Sequence, residues 1–197
     1  MTSVRLQHQI AFARELDKLK EVTRQTYLLS ESRRENDAEH SWNLAMLVLL
    51  LHEYAPAPGI DVARTVSMVL LHDVVEIDAG DAYCYDEDAR RRHAELERAA
   101  AERLFGMLPA DQADEFRGLW DEFEARATPE ARFAAALDRF QPLLNNLFTG
   151  GRSWREHGVR APEVLTANAH MQEGAPALWA FVRELIQEAV DRGELAP

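Results

Sequence analysis

The chain has 197 residues, 47% hydrophobic and 28% charged, with a net charge of −12 at pH 7. That is the composition of one globular domain with enough apolar mass for its own core, and it excludes a disordered or fibrous chain. So acidic a surface repels DNA, RNA and anionic lipid, so no nucleic-acid polymer is expected as a partner; small phosphates stay open, because one arginine and a metal act locally.

The expected elements are helices throughout. Leu6, Ile10, Ala13, Leu16 and Leu19 recur at helical spacing and mark an amphipathic first helix. Asn36 or Asp37 caps a second helix through Tyr54. Its stretch LAMLVLLL is apolar all round, which places it in the middle of the bundle. Asp61 caps a third helix from Val62 to about Ile77, with Gly80 ending that region and the loop GDAYCYD following. Asp86 caps a long charged fourth, Pro109 opens a fifth through Arg126, and Thr128 with Pro129 starts a sixth that runs to Phe148. Gly150 and Gly151 break it; Pro162 opens a short seventh ending near Gly174, and the last spans Pro176 to Arg192. No stretch alternates in the manner of a strand, so the fold class is all-α, a bundle of about eight helices. Cys84 is the only cysteine, which excludes a disulfide framework and reads as an inert thiol. The N-terminal stretch has no signal-peptide apolar run, and the longest apolar run, Leu44 to Leu51, is far short of the ~20 residues that span a bilayer. A cytoplasmic location with no membrane partner is therefore expected.

Polar residues that interrupt apolar helices carry the chemistry. His40 lies in the first turn of the second helix, His72, Asp73 and Glu76 follow the greasy run of the third, and Asp138 follows AAAL in the sixth. Such groups cost several kcal/mol when buried unless paired or bound to metal. Two imidazoles and two carboxylates suit Mn, Fe, Co, Ni or Zn and leave positions for water and substrate. Glu76, four residues after His72, stands beside those ligands without being one. Pro142 cannot donate to the Asp138 carbonyl, so the helix bends there, either re-aiming Asp138 or only wrapping the core. His8, His93, His157 and His170 sit among polar residues and are expected on the solvated surface. Arg90, Arg91 and Arg92 are flanked by Glu87, Asp88, Glu95 and Glu97, the pattern of an ion-paired exposed face. Trp120, Trp154 and Trp179 are expected to pack.

The set His40, His72-Asp73 and Asp138 resembles the HD superfamily of metal-dependent phosphohydrolases. RRENDAEHSWNLAM, LLHDVVEIDAGD and ALDRFQPLLNN resemble its 5′-deoxynucleotidase branch, over about residues 16–148. The resemblance implies a single HD domain over 1–197, with the C-terminal helices 162–192 packed on the motif-bearing core. It implies that His40, His72, Asp73 and Asp138 hold one divalent metal (Co, Mn, Fe, Ni, Zn or Mg). Glu76 would orient or deprotonate water, Asp81 would protonate the leaving 5′ oxygen, and Arg24 would grip the phosphate. A useful acid at Asp81 needs a raised pKa, which a carboxylate neighbour such as Glu76 would supply. Where close relatives carry a Trp directly after this arginine, which helps select deoxyribose, this chain has Gln25, and Tyr27 is expected to take over. Glu35 and Asn36 are expected to fix their loop rather than touch substrate.

The expected activity is hydrolysis of (deoxy)nucleoside 5′-monophosphates to nucleoside and phosphate by a homodimer. Two alternatives stand beside it. One is an HD-type hydrolase of a cyclic nucleotide, nucleoside triphosphate or guanosine polyphosphate, although the chain shows neither a long insertion to grip a triphosphate nor a second histidine pair for two metals. The other is a non-catalytic nucleotide sensor, against which Glu76 and Asp81 argue.

Overall fold

The computed structural model describes residues 3–197 except Cys84 and Asp86, and of residues 87–92 the backbone alone. The expected thiol at Cys84, the cap at Asp86 and the ion-paired face over Arg90, Arg91 and Arg92 thus lie outside what it describes. Eleven α-helical segments occur among the described residues: α1 (Val4–Leu16), α2 (Asp37–Leu51), α3 (Val62–Leu71), α4 (Glu76–Ala79), α5 (Glu87–Phe105), α6 (Ala110–Ala125), α7 (Pro129–Phe148), α8 (Arg152–His157), α9 (Ala161–Ala167), α10 (Met171–Gly174) and α11 (Pro176–Asp191). Eight remain when the short α4, α8 and α10 are set aside, in keeping with the expected bundle.

Local chemistry explains the boundaries. Asn36 accepts a hydrogen bond from the Glu39 backbone while the Glu39 carboxylate accepts from that of Asn36, a reciprocal cap on α2. Asp61 caps α3 through the Arg64 N–H and Thr128 caps α7 through that of Ala131, each worth about 1 kcal/mol. The third helix does not run unbroken to Ile77. It tightens into a 3-10 turn over His72–Val75 before α4, and Gly80 leaves α4 at φ 79°.

The expectation of no strands is corrected. β1 (Thr23–Tyr27) and β2 (Arg34–Asn36) pair antiparallel, with Thr23 opposite Asn36 and Tyr27 opposite Arg34 and an irregular register between. β2 passes directly into α2. In β1 the buried residues are Arg24 and Thr26, so its inward face is polar and invisible to hydropathy.

The centre of the bundle is also not where the apolar run suggested. Trp42 (62% exposed), Met46, Leu49 and Leu50 (68% exposed) on α2 face outward, whereas Leu44 and Val48 are buried. The central helix is α7, buried along most of its length and in contact with α2, α3, α6, α10 and α11. Its alanines, Ala131, Ala134, Ala135 and Ala136, let neighbours approach closely. α7 continues through Pro142. Leu6 and Ile10 of α1 are exposed, and that helix is anchored by Phe12, whose ring meets Phe116 edge-on at 6.0 Å. Trp120, Trp154 and Trp179 are buried as expected. No helix among the described residues is long and apolar enough to cross a membrane.

α10 packs closely on α7. A Cβ on Gly174 would lie 2.0 Å from the Arg132 carbonyl oxygen and 2.8 Å from the Ala136 Cβ, neither of which yields without moving α7. Gly174→Ala is therefore expected to destabilise the fold by about 1–3 kcal/mol, read from the urea midpoint; an unshifted midpoint would show that α10 can slide freely.

Candidate active site

Three elements converge beneath one cavity. α2 brings His40, the 3-10 turn after α3 brings His72 and Asp73, and α7 brings Asp138. All four are buried. An α-helix turns about 100° per residue, so a regular helix would aim His72, Asp73 and Glu76 outward in part. The 3-10 turn, with α5 packed over it, keeps all of His72–Glu76 inside.

One donor atom each from His40, His72 and Asp73 lies within 4.8 Å of the others. His40 Nε2 stands 3.0 Å from Asp138 Oδ1 and 3.8 Å from Asp73 Oδ2. His72 Nε2 stands 2.9 Å from Asp73 Oδ1 and 3.5 Å from Asp138 Oδ1. The first of these is close but misaligned, so His72 Nε2 has no hydrogen-bond partner. Each ring is fixed from behind. His72 Nδ1 pairs with the Val69 carbonyl at 2.9 Å, and His40 Nδ1 with Gln141 Oε1 at 3.0 Å. Gln141 Nε2 in turn donates to Glu35 Oε1 at 2.8 Å, and Asn43 donates to the same oxygen at 3.2 Å. Such partners set ring orientation and the basicity of the free nitrogen.

The electrostatics follow from this packing. Burial lowers the proton affinity of His72, but Asp73 and Asp138 outweigh it and push its pKa up to about 10. Burial raises Asp73, and His72 and Arg24 reverse that to hold it at about 2. Asp138 is likewise driven well below the usual range, by Arg139, His40 and His72 against burial. Asp37 goes the other way, to about 6, because burial and the Asp73 charge outweigh the neighbouring Arg24 guanidinium. Glu76 is raised well above the ordinary carboxyl range by burial, then by Asp73 and Asp37.

The cavity has a volume of about 670 Å³, and Arg24, His72, Asp73, Glu76, Asp81 and Asp138 all line it. His40 lies beneath them without exposure. Arg24 Nη1 donates to Asp73 Oδ2 at 2.8 Å and to Asp37 Oδ1 at 3.0 Å. The Asp81 carboxyl is raised chiefly by burial, with Asp73 adding and Arg24 opposing, rather than by Glu76 as the principal neighbour. Tyr27 is placed elsewhere: its hydroxyl donates to Glu156, the Arg152 guanidinium lies 3.8 Å over its ring, and it does not line the cavity.

Sequence reasoning missed three residues. Asp37 was read only as a cap, yet it anchors Arg24. Gln141 follows Asp138 by one helical turn on the same face, a spacing that could have flagged it. His93, expected at the solvated surface, has a side chain only 11% exposed and lines the cavity.

The donor set fits a divalent cation of the first transition row. It offers two imidazole nitrogens oriented from behind, one of them unpartnered, and two carboxylates held ionised.

Comparison with known proteins gives matching results. The family profile described as HD domain matches residues 16–179. The chain is 27% identical over 139 residues to the 5′-deoxynucleotidase HDDC2 of Xenopus laevis, covering 70% of this chain and 67% of that one. It is 25% identical to the 5′-deoxynucleotidase yfbR of Photorhabdus temperata, covering 87% and 90%. The chain thus spans about two thirds of the length of the animal relative. A crystal structure described as a predicted metal-dependent phosphohydrolase from Magnetospirillum magnetotacticum superposes with a TM-score of 0.93 at 51% identity, covering 98% of this chain and 96% of that one.

Gln141→Leu removes the partner of His40 Nδ1. It is expected to weaken divalent-cation binding about 10-fold to 100-fold with the helical content unchanged, read as Mn²⁺ affinity by isothermal titration. An unchanged affinity would mean that packing alone holds the ring.

Proposed function

The chain belongs to the HD-domain family, and from that premise we propose that it is a divalent-metal-dependent phosphomonoesterase acting on (deoxy)nucleoside 5′-monophosphates. The observation that carries this reading is the convergence of His40, His72, Asp73 and Asp138 beneath a cavity that Arg24, Glu76 and Asp81 also line. The names of the relatives support the nucleotide substrate.

In this reading His40, His72, Asp73 and Asp138 hold the metal. When bound, a divalent cation screens phosphate charge and lowers the pKa of water. The protein's own residues do the rest. Arg24, fixed by Asp37 and Asp73 through Nη1, directs other N–H groups of its planar guanidinium at the phosphate oxygens. Glu76, beside Asp73 on the cavity wall, would in its ionised form take the proton that the attacking water gives up. Water oxygen bonds to phosphorus as the bond from phosphorus to the 5′ oxygen breaks. Asp81, whose pKa burial raises, would donate a proton to the departing 5′ oxygen. Gln25 and Thr26 line the cavity beside Arg24, so Tyr27 acts on sugar selection indirectly, by fixing β1 against α8 through Glu156 and Arg152.

The test is phosphate release from matched deoxynucleoside and ribonucleoside 5′-monophosphates with Mn²⁺ or Co²⁺, and with EDTA. Metal-dependent release is expected, abolished by EDTA and by Asp73→Ala or His72→Ala. Turnover by a metal-free variant, or silence of the metal-loaded protein on both panels, would overturn the assignment.

We also propose that the protein works as a homodimer. Trp42, Met46, Leu49 and Leu50 form an exposed apolar row on α2, with Leu70 exposed on the adjacent α3. Contiguous apolar surface of this kind marks interaction sites. Light scattering after gel filtration is expected to give twice the chain mass, and Trp42→Glu with Leu50→Glu to give the monomer; a monomeric wild type would refute it.

A further inference from the structure

We propose that one end of the cavity is a nucleobase subsite, in which Asn146 and Thr26 hydrogen-bond the polar edge of the base. It rests on the nucleotide reading above and adds the contacts that would tell a nucleotide from a bare sugar phosphate. None of the comparisons assigns it.

Two packed elements place these side chains. Asp138, Pro142 and Asn146 follow one another at four-residue spacing on α7, so they share one face, and all three line the cavity. Asn146 therefore stands two turns, about 12 Å, along the helix from Asp138. Arg24 and Thr26 are two residues apart on the buried face of β1, about 7 Å, and line the same cavity. β1 packs on α7. Tyr27, at the end of β1, meets Glu156 of α8, which follows the C-terminal end of α7. β1 and this half of α7 thus lead the same way from the acidic cluster. With the phosphate at Arg24, the nucleoside would extend along them toward Thr26 and Asn146.

The hydrogen bonding identifies the chemistry of the missing partner. Asn146 Nδ2 donates to the Pro142 carbonyl at 3.0 Å, which fixes the amide and leaves Oδ1 as an acceptor. Asn146 Oδ1 and Thr26 Oγ1 are both buried with no hydrogen-bond partner, on residues 5% and 7% exposed. Native structures leave few buried polar atoms unsatisfied, and two on packed elements of one cavity mark a place that a bound group completes. The Asn146 oxygen calls for an N–H, and the Thr26 hydroxyl gives or takes a hydrogen. The amino groups of adenine and cytosine and the ring N–H of thymine or uracil meet the first demand, whereas an ionised phosphate or carboxylate offers oxygens alone. Tyr83 and Tyr85 line the same cavity, their rings 5.1 Å apart at 77°. Aromatic faces stack on purines and pyrimidines alike, so the subsite recognises that a base is present rather than which base it is.

The test compares two phosphate esters that differ only by the base, deoxycytidine 5′-monophosphate and the methyl deoxyribofuranoside 5-phosphate, with Mn²⁺. The readout is the ratio of their kcat/KM values, in which damage to the shared phosphate chemistry cancels. Wild type is expected to favour the nucleotide, and Asn146→Leu and Thr26→Val each to cut that preference about 3-fold to 10-fold, through KM. Thr26→Val keeps the shape of the side chain, and circular dichroism checks that each variant is folded. Isothermal titration of the same pair into EDTA-treated full-length protein gives the affinity gap without turnover. A wild type that treats the pair alike in both measurements would overturn the subsite, and so would a preference that the folded variants retain. An affinity gap that the variants narrow, in a protein that releases no phosphate, would sink the proposed reaction and leave the subsite standing.

Discussion

One guanidinium nitrogen, Arg24 Nη1, joins two carboxylates that would otherwise repel each other inside the protein, Asp37 at the start of α2 and Asp73 after α3. The chain as a whole is acidic, and the site concentrates that acidity, with Asp73, Glu76 and Asp138 on the cavity wall, Asp37 behind it, and all four buried. Removing ions from water is costly, and a buried charge stripped of its partner costs about 3–5 kcal/mol. The small hairpin that carries Arg24 depends on the same contact. Two strands alone are marginal in water, and this pair is held by its ion-paired arginine and by packing on α7 and α8. Charge balance and architecture are therefore one problem here, solved by one side chain.

The residues gathered at the candidate site were readable because they break a pattern. A histidine or aspartate after an apolar helical run stands out, and His40, His72, Asp73 and Asp138 all do so. The helices were readable for the same reason, since capping residues and prolines mark their starts. What failed to show was polar structure facing inward. β1 buries Arg24 and Thr26, so its alternation carries no hydrophobic signal. Gln141 looks like any helical glutamine until its amide is seen between His40 and Glu35. His93 lies in a charged stretch whose composition suggests solvent, yet the fold turns it toward the cavity.

Apolar patterning misled in the opposite direction on α2. Eight consecutive residues from Leu44 to Leu51 are hydrophobic, yet Met46, Leu49 and Leu50 are exposed. Burial is a property of where a helix lies, and α7, with its small alanines, occupies the centre instead. Small residues permit close approach of backbones, as at Gly174, where the neighbouring helix touches the main chain. The most apolar helix and the most buried helix are therefore different elements of this bundle.

The two histidines share an arrangement in which Nδ1 is committed and Nε2 faces carboxylates. The Gln141 nitrogen donates to Glu35, so the Gln141 oxygen can only accept, and His40 Nδ1 must carry the hydrogen. The Val69 carbonyl makes the same demand of His72. A divalent cation bound there would take the place of a proton on His72 Nε2, so metal loading would release protons and acid would oppose it. Gln141 and Val69 hold the two rings from behind without touching the inward nitrogens, so the frame of the site does not depend on what those nitrogens bind.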